Sequence, residues 1–524
     1  MRKDPIQLEI FKNRLTSISE EMGAVLCRSA YSANIKERKD ASCAIFNARG
    51  EMIAQAAHIP VHLGSMPLSV LSAIEEQRFE EEDTVLLNDP YRGGTHLPDI
   101  TVISPVFARK KNRPSFYVAN RAHHSDVGGI QPGSMPASEE IFQEGLRIPP
   151  VKIVKKGVFQ DDLLNLILSN VRTPEERTGD LQAQLAANRL GIQRLTEIIQ
   201  NFGTRETQEQ ALVLLDYSEQ MMRSVIHKIP DGQYHFFDFL EDDGITTQPI
   251  KIKATIRIRK SNAVIDFSGT DLQVKGCVNG PYAVTLSSVF YVFCCLAGFE
   301  IPINAGIMRP IKVFAPEGTI VNARPPAAVV GGNVELSQRI VDVLFGAFAK
   351  ALPRSIPAAS QGTMNNLTIG GFDPFHQKQF TYYETLAGGM GAPPTCDGLD
   401  AVHTHMTNTL NTPIEAIEHT FPFRVKKYRI RRGSGGKGRY QGGEGLIREI
   451  EFLSDAQVTV LSERRKLSPY GLAGGGKGKT GKNLLFQKGR KMNLPGKCSF
   501  KVNPGDVLSI HTPGGGGYGK PQKR

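Results

Sequence analysis

Two His-x-x-Asp units hold the residue types most able to do chemistry. His96-Leu97-Pro98-Asp99 and His123-His124-Ser125-Asp126 begin 27 residues apart, and with His124 they place five nitrogen or oxygen ligands within about thirty positions. Imidazole and carboxylate together suit zinc, manganese or iron(II). The competing reading is two ordinary tetrapeptides, with Asp99 capping or buttressing a turn; the spacing is less diagnostic than paired Cys-x-x-Cys. The flanking residues define what must position these groups. Val85 to Leu87 reads as a short strand, and Asn88 to Thr95 as a loop. Asp99 opens a strand running from Ile100 to Val106. Ser115 to Ala119 reads as another strand, and Asn120 to Gly129 as the loop after it. Both units therefore stand where apolar strands give way to polar loops, where active sites tend to be built.

The surrounding elements follow from periodicity. Leu8, Phe11, Leu15, Ile18, Met22 and Leu26 share a helical face, and Asp4-Pro5 is a good helix start. Asp40 to Ala57 reads as a hairpin around Asn47-Ala48-Arg49-Gly50, with His58 and His62 in the Pro60-containing loop beyond it. Asp40 thus stands just before a strand, as Asp99 does. Leu163 to Phe202 is mostly helical, and Leu181, Leu185, Asn188, Ile192, Leu195, Ile199 and Phe202 form one stripe. Asn188 on that stripe either fixes helix register or points its amide at a site. Thr207 to His227 is a further helix. Tyr234–Leu240, Ile250–Arg259 and Ala263–Phe267 alternate as antiparallel strands. Helices follow near Ala283–Leu296 and Ser337–Leu352, a loop-dominated stretch runs from Pro353 to Gly398, and short strands with Gly-Gly turns begin near Phe421. The pattern predicts an α+β fold of several parts. Residues 1–230 form an N-terminal α/β region with the metal-site candidates, 231–420 a central α+β region, and 421–524 a basic, Gly-rich β module.

Composition narrows the class. The 524 residues are 40% hydrophobic and 22% charged, which places the chain among soluble globular proteins of three or more structural units. Seven cysteines, irregularly spaced and without Cys-x-x-Cys, argue for a reduced, cytoplasmic protein without a disulfide framework. The residues from Met1 to Leu15 lack the apolar run of a secretory signal. The best apolar stretch, Ala283 to Phe299, is short for a membrane span and fits a buried helix. The net charge of +11 lies mostly beyond Arg424.

Three motifs are weaker than they look. Ala473-Gly-Gly-Gly-Lys-Gly-Lys479-Thr480 nearly spells a phosphate-binding loop, but the strand-like Leu484-Leu485-Phe486 follows where a helix is needed, so solvated β-turns are expected. The basic stretch Arg424 to Lys437 fits a strand with one solvated face, and no nucleic-acid role is expected. His403-Thr404-His405 would put two imidazoles on one face of a strand, which reads as a polar strand surface or a hydrogen-bonded core pair. No Gly-x-Ser-x-Gly elbow occurs.

Several segments taken together resemble the B subunits of the hydantoinase and oxoprolinase family, over essentially the whole chain. They are Asp40-Ala-Ser-Cys-Ala-Ile-Phe46, His58-Ile-Pro-Val-His-Leu-Gly-Ser-Met66, Asn88-Asp-Pro-Tyr-Arg-Gly-Gly-Thr-His-Leu-Pro-Asp99 and Asn120-Arg-Ala-His-His-Ser-Asp126. Later come Asn170 to Pro174, Gly179 to Leu181, Asp266 to Asp271, His403 to Asn408 and Gly514 to Tyr518. The family includes N-methylhydantoinase B, half of 5-oxoprolinase, ATP-dependent caprolactamase and an acetone carboxylase subunit. The resemblance implies a two-component, ATP-dependent enzyme. An actin-like ATPase A subunit phosphorylates a cyclic amide or ketone, and the B subunit, bearing zinc or manganese, completes the reaction. It implies metal ligands at Asp40, His96, His123 and Asp126, with Asp99 and His124 as substitutes or as groups orienting a ligand imidazole. On this reading a metal-activated water attacks the phosphate-activated carbon. Arg92 and Arg121, in the two site loops, hold a phosphate or carboxylate unless they serve only as salt-bridge partners. A ketone carboxylase component and a non-catalytic basic binding module are the alternatives. A hetero-oligomer is implied, with no membrane partner.

Overall fold

The strands beside the His-x-x-Asp units do not alternate between apolar and polar residues, because both faces of their sheet are covered. The computed structural model describes residues 5–56, 59–108, 112–298 and 301–521. Asp4, Ala57, His58 and Phe299 of the expected elements lie outside these residues. The first sheet contains β1 (Ala41–Asn47), β2 (Met52–Gln55), β3 (Thr84–Leu87), β4 (Asp99–Val106), β5 (Phe116–His123), β6 (Val151–Lys155) and β7 (Val158–Phe159). Their order is β2-β1-β5-β4-β3-β6-β7, antiparallel throughout. Cys43, Ile45, Val118 and Ala122 face the Pro5–Ser29 and Pro174–Phe202 helices. Ala44, Phe46, Val85, Ile103 and Ala119 face the Ser65–Glu76 helix and the larger core beyond it. All eight residues of β4 and of β5 are buried. The predicted loop from Asn120 is therefore strand as far as His123. Its polar residues are not a loop signal, because Asn120 donates to Asn188 Oδ1 (2.8 Å) and to Gln184 O (2.8 Å) in the long helix. Asn188 in turn donates to Val102 O and Ser104 Oγ, both at 3.1 Å, so it clamps helix to sheet.

The central region holds β8 (Gly232–Leu240), β9 (Ile250–Arg259), β10 (Asn262–Asp266) and β11 (Ile311–Phe314), in the order β11-β10-β9-β8. The Ser337–Ala351 helix packs on this sheet, and the Tyr282–Ala297 helix packs on that helix. Among the described residues no helix is long and apolar enough to cross a membrane.

The C-terminal third departs from expectation in two places. It contains β12 (Asn366–Asp373), β13 (Lys378–Glu384), β14 (Phe423–Arg431), β15 (Gly445–Phe452), β16 (Ala456–Leu461), β17 (Lys482–Gln487), β18 (Arg490–Leu494), β19 (Lys497–Val502) and β20 (Val507–His511). The stretch expected to be loop, 353–398, includes the hairpin β12–β13; Gly370 and Gly371 mask its apolar pattern in the sequence. β13-β12-β16-β19 form one sheet and β14-β15-β20-β17-β18 another, so strands on either side of residue 420 share a layer. The basic stretch is a strand, β14, as expected; it lies at the edge of its sheet, and Lys427 pairs with Glu449 at 2.9 Å.

The run from Gly514 to Gly517 is a set of buried backbone contacts, whereas Ala473 to Thr480 is largely exposed, as expected for solvated turns. Cβ atoms added at Gly514, Gly515 and Gly516 would stand 2.1, 2.1 and 2.0 Å from the carbonyl oxygens of Ser434, Met390 and Tyr470. At Gly475 and Gly478 the same addition would meet Gly517 O at 2.1 Å and Gly514 O at 2.3 Å. Five backbone segments thus approach within a distance no side chain allows. They hydrogen-bond across, as in Gly515 N–H to Gly443 O (2.9 Å) and Gly516 N–H to Ala359 O (2.8 Å). Ala473 to Thr480 belongs to this lattice and precedes a strand.

A buried acid links the first region to the central one and carries a pH prediction. Glu144 Oε1 accepts from the Val329 and Val330 N–H groups (2.8 and 3.0 Å) and from Ser138 Oγ (2.8 Å), while Oε2 meets no described partner. Burial pushes its carboxyl up to about 8, and these hydrogen bonds pull it back only in part. The folded state then holds the proton more tightly than the unfolded chain does. Stability is lost as pH rises from the ordinary value of 4.5 through about 8. Glu144→Gln keeps an acceptor for the three donors and cannot titrate. Its melting temperature is expected to fall less than the parent's between about pH 6 and 9, and parallel thermal-melt profiles would refute this.

Candidate metal centre

Strand register and one tight turn build the centre. Asp99, the first residue of β4, is directly opposite His123, the last of β5. The Asp99 N–H donates to His96 O at 3.1 Å, closing a turn that folds His96 back over Asp99. On the other side the His123 N–H donates to Asp40 O at 3.0 Å. His96 Nε2 and His123 Nδ1 are 3.2 Å apart, and Asp99 Oδ1 lies 3.2 Å from the first and 3.3 Å from the second. All three side chains are buried, and among the described residues they form the one His/Cys/Asp/Glu group within metal-ligating reach of one another.

These distances fit a divalent ion. Ligand atoms about 2.0–2.2 Å from such an ion stand roughly 3.0–3.5 Å from each other, whether four- or six-coordinate. Two ring nitrogens and a carboxylate oxygen crowd at that separation without loss when their lone pairs share a cation. His96 Nδ1 and His123 Nε2 are also buried and meet no described partner. Burial pushes the Asp99 carboxyl up, but the His96, His123 and His62 rings outweigh it and hold the group well below the usual range. Burial also lowers the pKa of His123 and His62, against the pull of Asp99.

His62 is a member that its place in the Pro60 loop did not reveal. Its Nε2 lies 3.3 Å from Asp99 Oδ2 and its Nδ1 2.8 Å from Ser42 Oγ. Thr95 Oγ1 donates to the same Asp99 oxygen. One carboxylate oxygen is thus held from behind while the other faces the histidines. The sequence signal was slight, a histidine four residues from His58 in a segment that carries the family resemblance. Tyr383 stacks on His123, with ring centroids 4.4 Å apart and planes at 14°, and fixes the imidazole plane.

The other expected residues are placed as follows. Asp40 lines the same cavity as His62, His96, Asp99 and His123 but stands outside the tight group; its Oδ2 is 3.9 Å from Arg38 Nη1. Asp126 is not brought in: it accepts from the Arg172 N–H (2.7 Å) and from Arg172 Nη1 (2.9 Å). His124 follows the last residue of β5 and faces the other way, its Nε2 2.9 Å from Gln184 Oε1 of the long helix. Burial and Arg177 hold His124 down at about 4. Arg92 is a surface residue paired with Glu76. Arg121 is fully buried and donates to Thr101, Ser65 and Ser69 hydroxyls at 2.8, 2.6 and 2.7 Å, binding the sheet to the Ser65–Glu76 helix. The cavity is small, about 20 Å³, which is room for a water-sized guest.

Known proteins resemble this chain over nearly its whole length. The hydantoinase B/oxoprolinase family model matches residues 4–521. An uncharacterised protein of Methanocaldococcus jannaschii is 44% identical over 99% of this chain and 92% of its own length. The 5-oxoprolinase of Dictyostelium discoideum is 40% identical over 99% of this chain, which spans only 40% of that larger protein. The crystal structure of ATP-dependent caprolactamase from Pseudomonas jessenii superposes with a TM-score of 0.92 at 28% identity, covering 99% of this chain and 92% of the other. Nucleotide-free acetone carboxylase gives a TM-score of 0.93 at 18% identity, covering 100% and 76%, a likeness of fold.

Proposed function

Since the chain belongs to the hydantoinase B/oxoprolinase family, we propose that it is the metal-bearing subunit of an ATP-dependent cyclic-amide hydrolase. Its substrate is a hydantoin, 5-oxoproline or lactam ring phosphorylated by an actin-like, A-type ATPase partner in a hetero-oligomer. The observation that carries this reading is the convergence of His96, Asp99 and His123 at 3.2–3.3 Å in a buried cavity. A zinc or manganese ion bound there would supply a Lewis acid that activates water.

The protein's own contribution is placement and exclusion. His96, His123 and Asp99 would hold the ion, and we assign Asp40 as a further carboxylate on the same cavity wall. His62 and Thr95 keep the Asp99 carboxylate turned, and Tyr383 keeps the His123 ring in plane. The small cavity admits a water-sized guest to the ion and keeps bulk solvent away from it. ATP chemistry is assigned to the partner, because Ala473 to Thr480 is glycine lattice without the helix a phosphate loop requires.

The test is reconstitution with an actin-like, A-type ATPase subunit. Ring opening is expected to require ATP, both subunits and a divalent ion, and to stop on chelation. Turnover that persists without the ion refutes the reading, as does ATP use that requires bicarbonate and a ketone, the mark of a carboxylase.

A further inference from the structure

The metal cavity cannot hold a substrate. At about 20 Å³ it has room for about one water, which needs roughly 10–15 Å³ of such space, and not for a ring of five or more atoms. Beside it lies a chamber of about 630 Å³, within the range of small-molecule sites. The two are separated by one stretch of chain. Met406, Thr407 and Thr409 line the metal cavity, while His403, Thr404, His405, Thr407 and Asn408 line the chamber, so Thr407 belongs to both walls. Across the gap Ile59 faces the metal cavity and its neighbour Pro60 the chamber. His405 takes φ +59°, a left-handed turn in the middle of the partition.

The chamber has the makeup of a ring-binding site. Tyr291, Leu296, Phe345, Ile356, Met390 and Val402 give it apolar walls. No Asp, Glu, Lys or Arg is among its described lining residues. His403 is its least satisfied polar group: both ring nitrogens are buried and make no hydrogen bond of ordinary geometry, with the Asn411 side chain as the one polar neighbour acting on the ring. The nearby Asn411 amide is committed to Glu384 Oε1 and to Thr385 O, both at 2.8 Å. Burial and the Arg38 charge hold the imidazole pKa down at about 4, so near neutrality the ring offers one donor and one acceptor. A buried donor or acceptor without a partner is costly and is kept where a guest supplies the bond.

We propose that this chamber binds the ring of the cyclic-amide substrate, with His403 hydrogen-bonding an amide N–H or C=O of the ring and Thr407 marking the side from which it meets the metal centre. This rests on the reading of the protein as a cyclic-amide hydrolase and adds the place where the ring sits. His403 acts as a binding residue, remote from the ion.

Direct binding to the purified chain tests it, with hydantoin and 2-pyrrolidinone as probes and saturation-transfer NMR as the readout. Binding is expected to survive chelation of the metal within about threefold, and to weaken about tenfold or more in His403→Ala, the ratio expected for one hydrogen bond in a buried site. Val402→Trp, which crowds the chamber wall beside His403, should weaken it about tenfold or more while divalent-ion binding stays at the parent's level. His403→Gln, which keeps a donor and an acceptor, should recover part of the loss, so a folding defect in the alanine variant is separable. In the reconstituted enzyme His403→Ala should raise KM more than it lowers kcat. Affinities within twofold of the parent in both His403→Ala and Val402→Trp overturn the proposal. Ring binding that vanishes on chelation also overturns it, because the ring would then sit on the ion. Failure of the hydrolase reading is distinguishable: the chamber would still take the probes while no metal-dependent ring opening occurs.

Discussion

Asp99→Asn is expected to weaken divalent-ion binding by at least about 100-fold and to take ATP-dependent ring opening with the partner subunit down to background. The substitution is isosteric. Asparagine can still accept from Thr95, so the turn over His96 and the β4–β5 register stay in place. What is lost is the negative charge that His96, His123 and His62 stabilise. An amide N–H would instead point at one or both ring nitrogens now 3.2–3.3 Å from the carboxylate. The measurements are ion content after dialysis against a defined metal buffer and the thermal melt. His124→Asn is the contrast, because that ring faces Gln184; it is expected to keep the ion. Full metal content in Asp99→Asn, or its loss in His124→Asn alone, would show the centre to be misassigned.

Gly515→Ala is expected to destabilise the protein by about 3 kcal/mol or more, the scale of severe overpacking with loss of backbone hydrogen bonds. The new methyl would lie 2.1 Å from Met390 O and 2.7 Å from Gly391 N, with backbone on every near side and no flexible side chain to yield. Relief requires parting the strands that bond through Gly515 N–H to Gly443 O (2.9 Å) and Gly436 N–H to Gly515 O (2.8 Å). Gly489→Ala is the control: its added Cβ meets nothing within 4 Å, and its φ of +72° confines the cost to backbone strain. Equal melting temperatures for the two variants would count against the lattice as a determinant of stability.

How much of this was legible depended on whether a property was local. Helices with a one-sided apolar stripe were plain: the residues from Leu8 to Leu26 fell on one face of the observed Pro5–Ser29 helix. The strands β8, β9 and β10 alternated visibly because their sheet has a less covered face. β12 did not, since Gly370 and Gly371 interrupt its pattern where Pro132 and Asp455 press against it. The polar end of β5 read as loop because nothing local announces that Asn120 and Arg121 will find their partners in helices far along the chain.

The site divides the same way. Residue type and the His-x-x-Asp spacing determined that a metal-ligating set was available near His96 and His123, and the accumulated segments determined the family. Which members converge was a matter of strand register and side-chain parity. Register sets Asp99 against His123, and the one-residue step to His124 turns that ring to the opposite face, toward Gln184. Asp126 was equally eligible by type, yet Arg172, 46 residues further along, takes its carboxylate. His62 and His403 gain their places from chain packing alone. Ligand chemistry is written in single residues, whereas a coordination sphere is a set of distances between segments remote in sequence, and only the folded chain sets those distances.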